Sequence, residues 1–243
     1  MLDLLARLAH RLLIVLRNLA GLMTIPNCMG ENNSDDGRLR HHGFSLVEVL
    51  MVTAIIIVIA AMGIPTLMSM IRGLRTAGDA RDLNGAIIQA KMRAASDFAR
   101  ARVYFDLSAN TFRIEVQPNG LASWITDGCP NSCAGDQPLA NGVSFGYGSV
   151  PSPPANTQAA LGQAPACLDS TSNLTVVANT ACIIFNSRGI PTSSAATTSV
   201  GVPTPDDAIY ITDGYSVTGV TVSATGLTRI WRTEATGANW TKQ

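Results

Sequence analysis

Histidine is missing from most of this chain. The three present, His10, His41 and His42, all lie within the first 42 of 243 residues. The remainder therefore holds no Ser-His-Asp triad, no Cys-His pair and no histidine-ligated metal. Lysine is scarce as well, limited to Lys91 and Lys242. Only carboxylate chemistry is left for catalysis, so the chain reads as a non-enzyme that needs no cofactor and no metal. A broad basic face is also lacking. From Val103 onward, five Lys/Arg stand against nine Asp/Glu, whereas Ile71–Arg102 carries seven Lys/Arg and three Asp. An acidic carboxy-terminal part argues against a broad nucleic-acid-binding face.

What the chain does have is one long greasy stretch. Phe44–Ile64 contains a single charge, Glu48, and is long enough to cross a bilayer as a helix. An acid at the bilayer centre costs roughly 2.5–3.5 kcal/mol, so an intramembrane carboxylate is a functional residue by default. Arg38 and Arg40 flank the run on one side and Arg72 and Arg75 on the other, so basic residues do not set its orientation. Beyond Ile64, Pro65 removes a backbone donor and is expected to kink or loosen the helix. Gly63, Gly73 and Gly78 weaken it further. Ala80, Leu83, Ile87, Ala90, Ala94 and Phe98 then recur at three- and four-residue steps, which predicts one apolar helical face. A continuous helix from Phe44 to Ala99 would extend about 84 Å at 1.5 Å per residue.

Short strands are predicted after the helix. Arg102–Leu107 and Thr111–Gln117 alternate and are joined by Ser108-Ala109-Asn110, which reads as a hairpin. Leu121–Thr126 continues the meander, and Gly142–Tyr147 is a weaker strand. Gly148–Asn173 and Pro191–Asp206 read as loops. Ala181–Phe185, Ala208–Thr212, Ser216–Ser223 and Leu227–Arg232 complete the strands. The last two are joined through Ala224-Thr225-Gly226, with glycine supplying a positive φ. Asp206-Asp207 and Asp213-Gly214 read as turn residues rather than a calcium site. Trp124, Trp231 and Trp240 read as packing or interface residues rather than a cofactor site.

Gly43, Phe44 and Glu48, followed by Val49-Leu50-Met51-Val52, resemble the type IV pilin and pseudopilin signal. The resemblance implies that a prepilin peptidase cuts after Gly43 and methylates the new amine of Phe44. It also implies that Glu48 guides docking among other pilins in a filament. On this reading residues 1–43 are a leader, removed together with Cys28. Residues 1–28 carry an apolar stripe (Leu4, Leu5, Leu8, Leu12, Val15, Leu16, Leu19) with interspersed arginines. They read either as a membrane-surface helix or, the favoured reading, as sequence upstream of a true start at Met29. Residues 44–70 form the transmembrane helix, 71–101 an amphipathic helix, and 102–243 a periplasmic β-rich head. The protein would sit in the inner membrane, single-pass, with its amino terminus cytoplasmic before processing.

Cys129, Cys133, Cys167 and Cys182 fall in that head, and an even number in an exported domain suggests disulfides. Four thiols allow three connectivities. The local pairing Cys129–Cys133 with Cys167–Cys182 is preferred, and a four-cysteine zinc site is the rival that irregular spacing disfavours. Asp82-Leu83 through Arg102-Val103-Tyr104-Phe105, then Ile184-Phe185-Asn186-Ser187-Arg188-Gly189-Ile190-Pro191, resemble the GspH/FimT branch of minor pseudopilins. This implies an α+β, pilin-like fold: a long amino-terminal helix packed on an antiparallel β-sheet head. It implies a structural role in a type II secretion pseudopilus. The alternative is a FimT-like pilus subunit binding DNA in natural transformation. The matching segment, Gly226-Leu227-Thr228-Arg229-Ile230-Trp231-Arg232, places Leu227 at the family's first arginine position. It leaves Arg229 and Arg232 as the DNA-contact residues of that alternative.

Overall fold

The longest element grows from the apolar run. In a computed structural model that describes residues 45–121, 123–128, 135–171, 174–193, 204 and 206–243, a single helix, α1, covers Leu46–Ser96. The chain divides into a unit ending at Val52 and a larger unit, Thr53–Gln243. In the first, Ser45 starts the helix: its carbonyl accepts from the amides of Glu48 (3.0 Å) and Val49 (3.2 Å). In the second, α1 runs on without a break over residue 65. Ile55 to Ile59 are exposed, as are Leu67, Met70 and Leu74. Each such side chain is worth roughly 1.5–3 kcal/mol when moved out of water.

The character of α1 changes where the predicted stripe begins. Ala80, Leu83, Ala86, Ile87, Ala90 and Ala94 are all buried. Phe98, the last residue of that stripe, is not: it is 75 % exposed. The reason is local. α1 ends at Ser96, the Ala99 amide returns to the Ala94 carbonyl at 3.2 Å, and Phe98 takes the left-handed position (φ 49°) of this cap. That position usually belongs to glycine. Helical periodicity no longer applies once the chain has turned.

The chain then enters β1 (Arg100–Asp106), which pairs antiparallel with β2 (Thr111–Gln117) through the predicted hairpin. β3 (Ile125–Thr126) and β4 (Gln137–Pro138) both pair with β2, and β5 (Ser144–Phe145) belongs to a second sheet. β6 (Thr180–Phe185) pairs with β1, and β7 (Pro191–Thr192) with β6. β8 (Asp206–Thr212), β9 (Ser216–Ser223), β10 (Thr228–Glu234) and β11 (Thr241–Lys242) follow. The result is two antiparallel sheets, ordered β3-β2-β1-β6-β7 and β11-β10-β9-β8-β5. The fold is therefore α+β, with the single expected sheet resolved into two.

One core joins the layers. The buried face of α1 packs with Val103 and Phe105 of β1, Ile183 and Phe185 of β6, Ile209 and Ile211 of β8, and Val220 and Val222 of β9. The alanines at 80, 86, 90 and 94 keep the helix close to these branched and aromatic side chains. Lys91 fixes the register by donating to the Gly226 carbonyl at 2.9 Å. Gly226 sits at φ +74° in the β9–β10 turn, as its place after Ala224-Thr225 predicts.

The segment 148–173, read from sequence as a loop, ties the two sheets together. The Ala164 amide donates to the Ala208 carbonyl (2.7 Å) and the Cys182 amide to the Pro165 carbonyl (2.8 Å). The Gln163 side chain bonds both backbone groups of Tyr210, and the Tyr210 hydroxyl donates to Gln158. The segment thereby covers the sheet faces turned away from α1.

Candidate functional site

Gly43 and Phe44, the predicted cleavage pair, lie outside the described residues, as does the leader. Glu48 is in the first turn of α1 and exposed. A carboxylate there complements the partial positive charge of the helix amino terminus. In sequence it is four residues past Phe44. Around it Leu46, Val47, Leu50 and Met51 are all exposed. One acid is thus set among apolar side chains that are exposed among the described residues.

In the head, Cys167 and Cys182 form a disulfide with a Cα–Cα distance of 5.0 Å. It joins the 148–173 segment to β6. Cys129 and Cys133 lie outside the described residues. Arg229 and Arg232, the residues of the DNA alternative, separate. Arg229 is exposed, one position from Ile230, which packs on the core. Arg232 lies on the Ile230 side, its guanidinium 3.3 Å from where a side chain at Gly73 of α1 would begin. The two arginines therefore do not share a face of β10.

Sequence reasoning missed a buried polar cluster on the outer face of the first sheet. The alternation in β1 sends Ala101, Val103 and Phe105 toward α1 and Arg102 and Tyr104 outward. Those outward residues are also covered: Tyr104, Trp124, Cys167, Cys182 and Ile184 form a second apolar cluster. Within it Arg102 is fully buried, pairing through Nε with Glu115 and donating through Nη1 to the Leu168 carbonyl at 2.9 Å. Its guanidinium lies 4.3 Å from the Trp124 ring centre. Burial pushes the Arg102 guanidinium down and the Glu115 charge partly restores it. Arg113 bridges Glu115 (2.7 Å) and Asp136 (3.0 Å) and covers the Tyr104 ring at 4.0 Å. Burial opposes its charge, but the two carboxylates prevail and hold it above the ordinary value. Every charge here has a partner inside the protein, so the cluster reads as structure. The one available signal was the placement of Arg102 and Glu115 on strands predicted to pair; the covering segment had no pattern.

Asp213 organises the β8–β9 turn. It accepts from the amides of Tyr215 (2.9 Å) and Ser216 (2.7 Å) and from the Thr76 hydroxyl of α1 (3.1 Å). Burial alone would raise its carboxyl, but these bonds together hold it below 3.8. Asp79, by contrast, is raised by burial, with the Ala140 amide opposing.

Residues 38–64 match the prokaryotic N-terminal methylation motif. Neither the curated proteins nor the solved structures compared with the chain gave a match. The matched stretch contains Gly43, Phe44 and Glu48 and supports a type IV pilin-like protein, a structural subunit processed by a prepilin peptidase.

Proposed function

We propose that this protein is a minor pseudopilin of the GspH/FimT kind, a structural subunit of a type II secretion pseudopilus. Its helix is anchored in the inner membrane and its head projects into the periplasm. The observation that carries this reading is the methylation motif at 38–64 running straight into a helix whose apolar side chains are exposed. Such a surface requires lipid before assembly and neighbouring subunits after it. Cleavage after Gly43 frees the amine of Phe44, which the peptidase then methylates. The Glu48 carboxylate of one copy then meets the Phe44 amine of the next, so neither charge stays unpaired in an apolar setting.

Mass spectrometry of the membrane-bound protein tests the first step. The expected product begins at N-methylated Phe44; any other first residue sinks the reading. Deletion in the native host tests the machine. Loss of enzyme export with DNA uptake intact is the expected result. Loss of DNA uptake with export intact would transfer the protein to the pilus alternative. The DNA role gains no support from Arg229 and Arg232, which lie on opposite faces of β10.

A further inference from the structure

Just past the apolar run, α1 borders an open pocket of about 660 Å³, lined among others by Ser69, Arg72, Gly73, Tyr215, Arg232 and Glu234. It lies wholly within the Thr53–Gln243 unit. Two half-buried arginines converge on it from different elements. The Arg72 guanidinium lies over the Tyr215 ring, 4.7 Å from its centre. Arg232 of β10 lies along α1 in the space that Gly73 leaves empty. Among the described residues neither guanidinium forms an ion pair or donates a hydrogen bond.

The carboxylates nearby do not account for them. Asp213 also lines the pocket, but it is engaged by Thr76, Tyr215 and Ser216. Glu234 is exposed and makes no ion pair among the described residues. Two unpaired planar guanidiniums match the oxygens of a phosphate, which they can bind as paired forks.

By height the pocket begins at the outer edge of the headgroup layer. Ser69 and Gly73 are five and nine residues beyond Ile64, about 8 and 14 Å along the helix. The headgroup layer extends roughly 5–8 Å beyond the hydrocarbon on each side. Side chains on a helix lean toward its amino terminus, and long cationic ones reach back toward the interface. A side chain at position 72 can therefore reach back toward the headgroup layer. We infer that this pocket seats the phosphate of a phospholipid headgroup, clamped between Arg72 of the helix and Arg232 of the sheet. The inference rests on the membrane-anchored reading. Its role is to fix the head against the bilayer surface at one height and one rotation.

The test uses the full chain in a nonionic detergent, titrated by calorimetry with three probes: dihexanoyl-phosphatidylglycerol, inorganic phosphate and a short DNA duplex. Saturable one-to-one binding of the lipid is expected, with both other probes weaker. Arg72→Gln with Arg232→Gln should weaken lipid binding by roughly twenty-five-fold, about fivefold for each cation. Glu234→Gln should tighten it, and Arg229→Gln should leave it unchanged. Thermal melting checks that each variant is folded. The inference is overturned by an absence of saturable lipid binding, or by a folded double variant that binds as the wild type does. Inorganic phosphate or duplex binding as tightly as the lipid overturns it equally. Should the double variant fail to fold, Glu234→Gln decides, and unchanged or weaker binding counts against the clamp. Carbonate extraction of the wild-type protein from membranes is a separate experiment. Release there would sink the anchored reading whatever the calorimetry gives.

Discussion

Among the described residues, Arg102 is the largest side chain fully withdrawn from solvent. Glu115, the Leu168 carbonyl and the Trp124 ring replace part of the water it has lost, while Nη2 is buried without a hydrogen-bond partner among the described residues. Taking away one partner of such a pair typically costs about 3–5 kcal/mol, because the other charge is left buried and alone. Glu115→Ala is accordingly expected to destabilise the protein by about 3 kcal/mol or more. Thermal or urea denaturation of the full chain in detergent measures this. Replacing both partners with apolar residues, Arg102→Met with Glu115→Leu, should recover most of the loss. No recovery would mean that the Arg113–Asp136 arm, rather than the buried pair, carries the site. Nothing in the alternation of β1 marked Arg102 as buried, since arginine on the outward face of a strand is ordinarily wet.

At the scale of elements, the stability of the head depends on how its connections are fastened. The Cys167–Cys182 bond spans 15 residues, and closing a loop of that size is worth about 3 kcal/mol. Cys167→Ala with Cys182→Ala should lower stability by about that amount, and a reducing agent should lower the wild type at least as much. A smaller effect would mean that the hydrogen bonds of the 148–173 segment hold it without the disulfide. The β8–β9 turn is fastened by Asp213, whose carboxyl is held below 3.8 by its hydrogen bonds. Its contribution is present above about pH 4 and is lost as pH falls through the lower folded value. Asp106, held down by the Ser108 hydroxyl and the Ala109 amide, acts in the same direction. Asp79 acts in the opposite direction, because its raised carboxyl is relieved by protonation. Melting temperature measured from pH 6 to pH 2 should therefore fall steeply below about pH 4. In Asp213→Asn that fall should be shallower and start from a lower plateau. An acid limb identical to the wild type would remove Asp213 from this role.

For the whole molecule, the decisive contrast lies along α1. Its first half exposes apolar side chains around one acid, and its second half buries a narrow stripe of alanine, leucine and isoleucine in the head. Glu48→Val should leave membrane insertion intact, since it removes an insertion cost of roughly 2.5–3.5 kcal/mol. The same change should lower incorporation into filaments at least about tenfold, measured as the sheared fraction relative to the membrane fraction. Normal incorporation would remove Glu48 from the assembly mechanism. The methylation motif, the length of the apolar run, the buried helical stripe to Ala94 and the principal strands were all written in local sequence. Each depends on spacing along a single helix or strand, and such spacing can be read without a partner. Other features required the packed molecule. The end of α1 before Phe98, the two sheets in place of one, the burial of Arg102 and the gathering of Arg72, Tyr215 and Arg232 at one pocket bring together residues far apart in the chain. Long-range contacts of this kind are set by which surfaces must be covered, and only the tertiary structure decides what covers them.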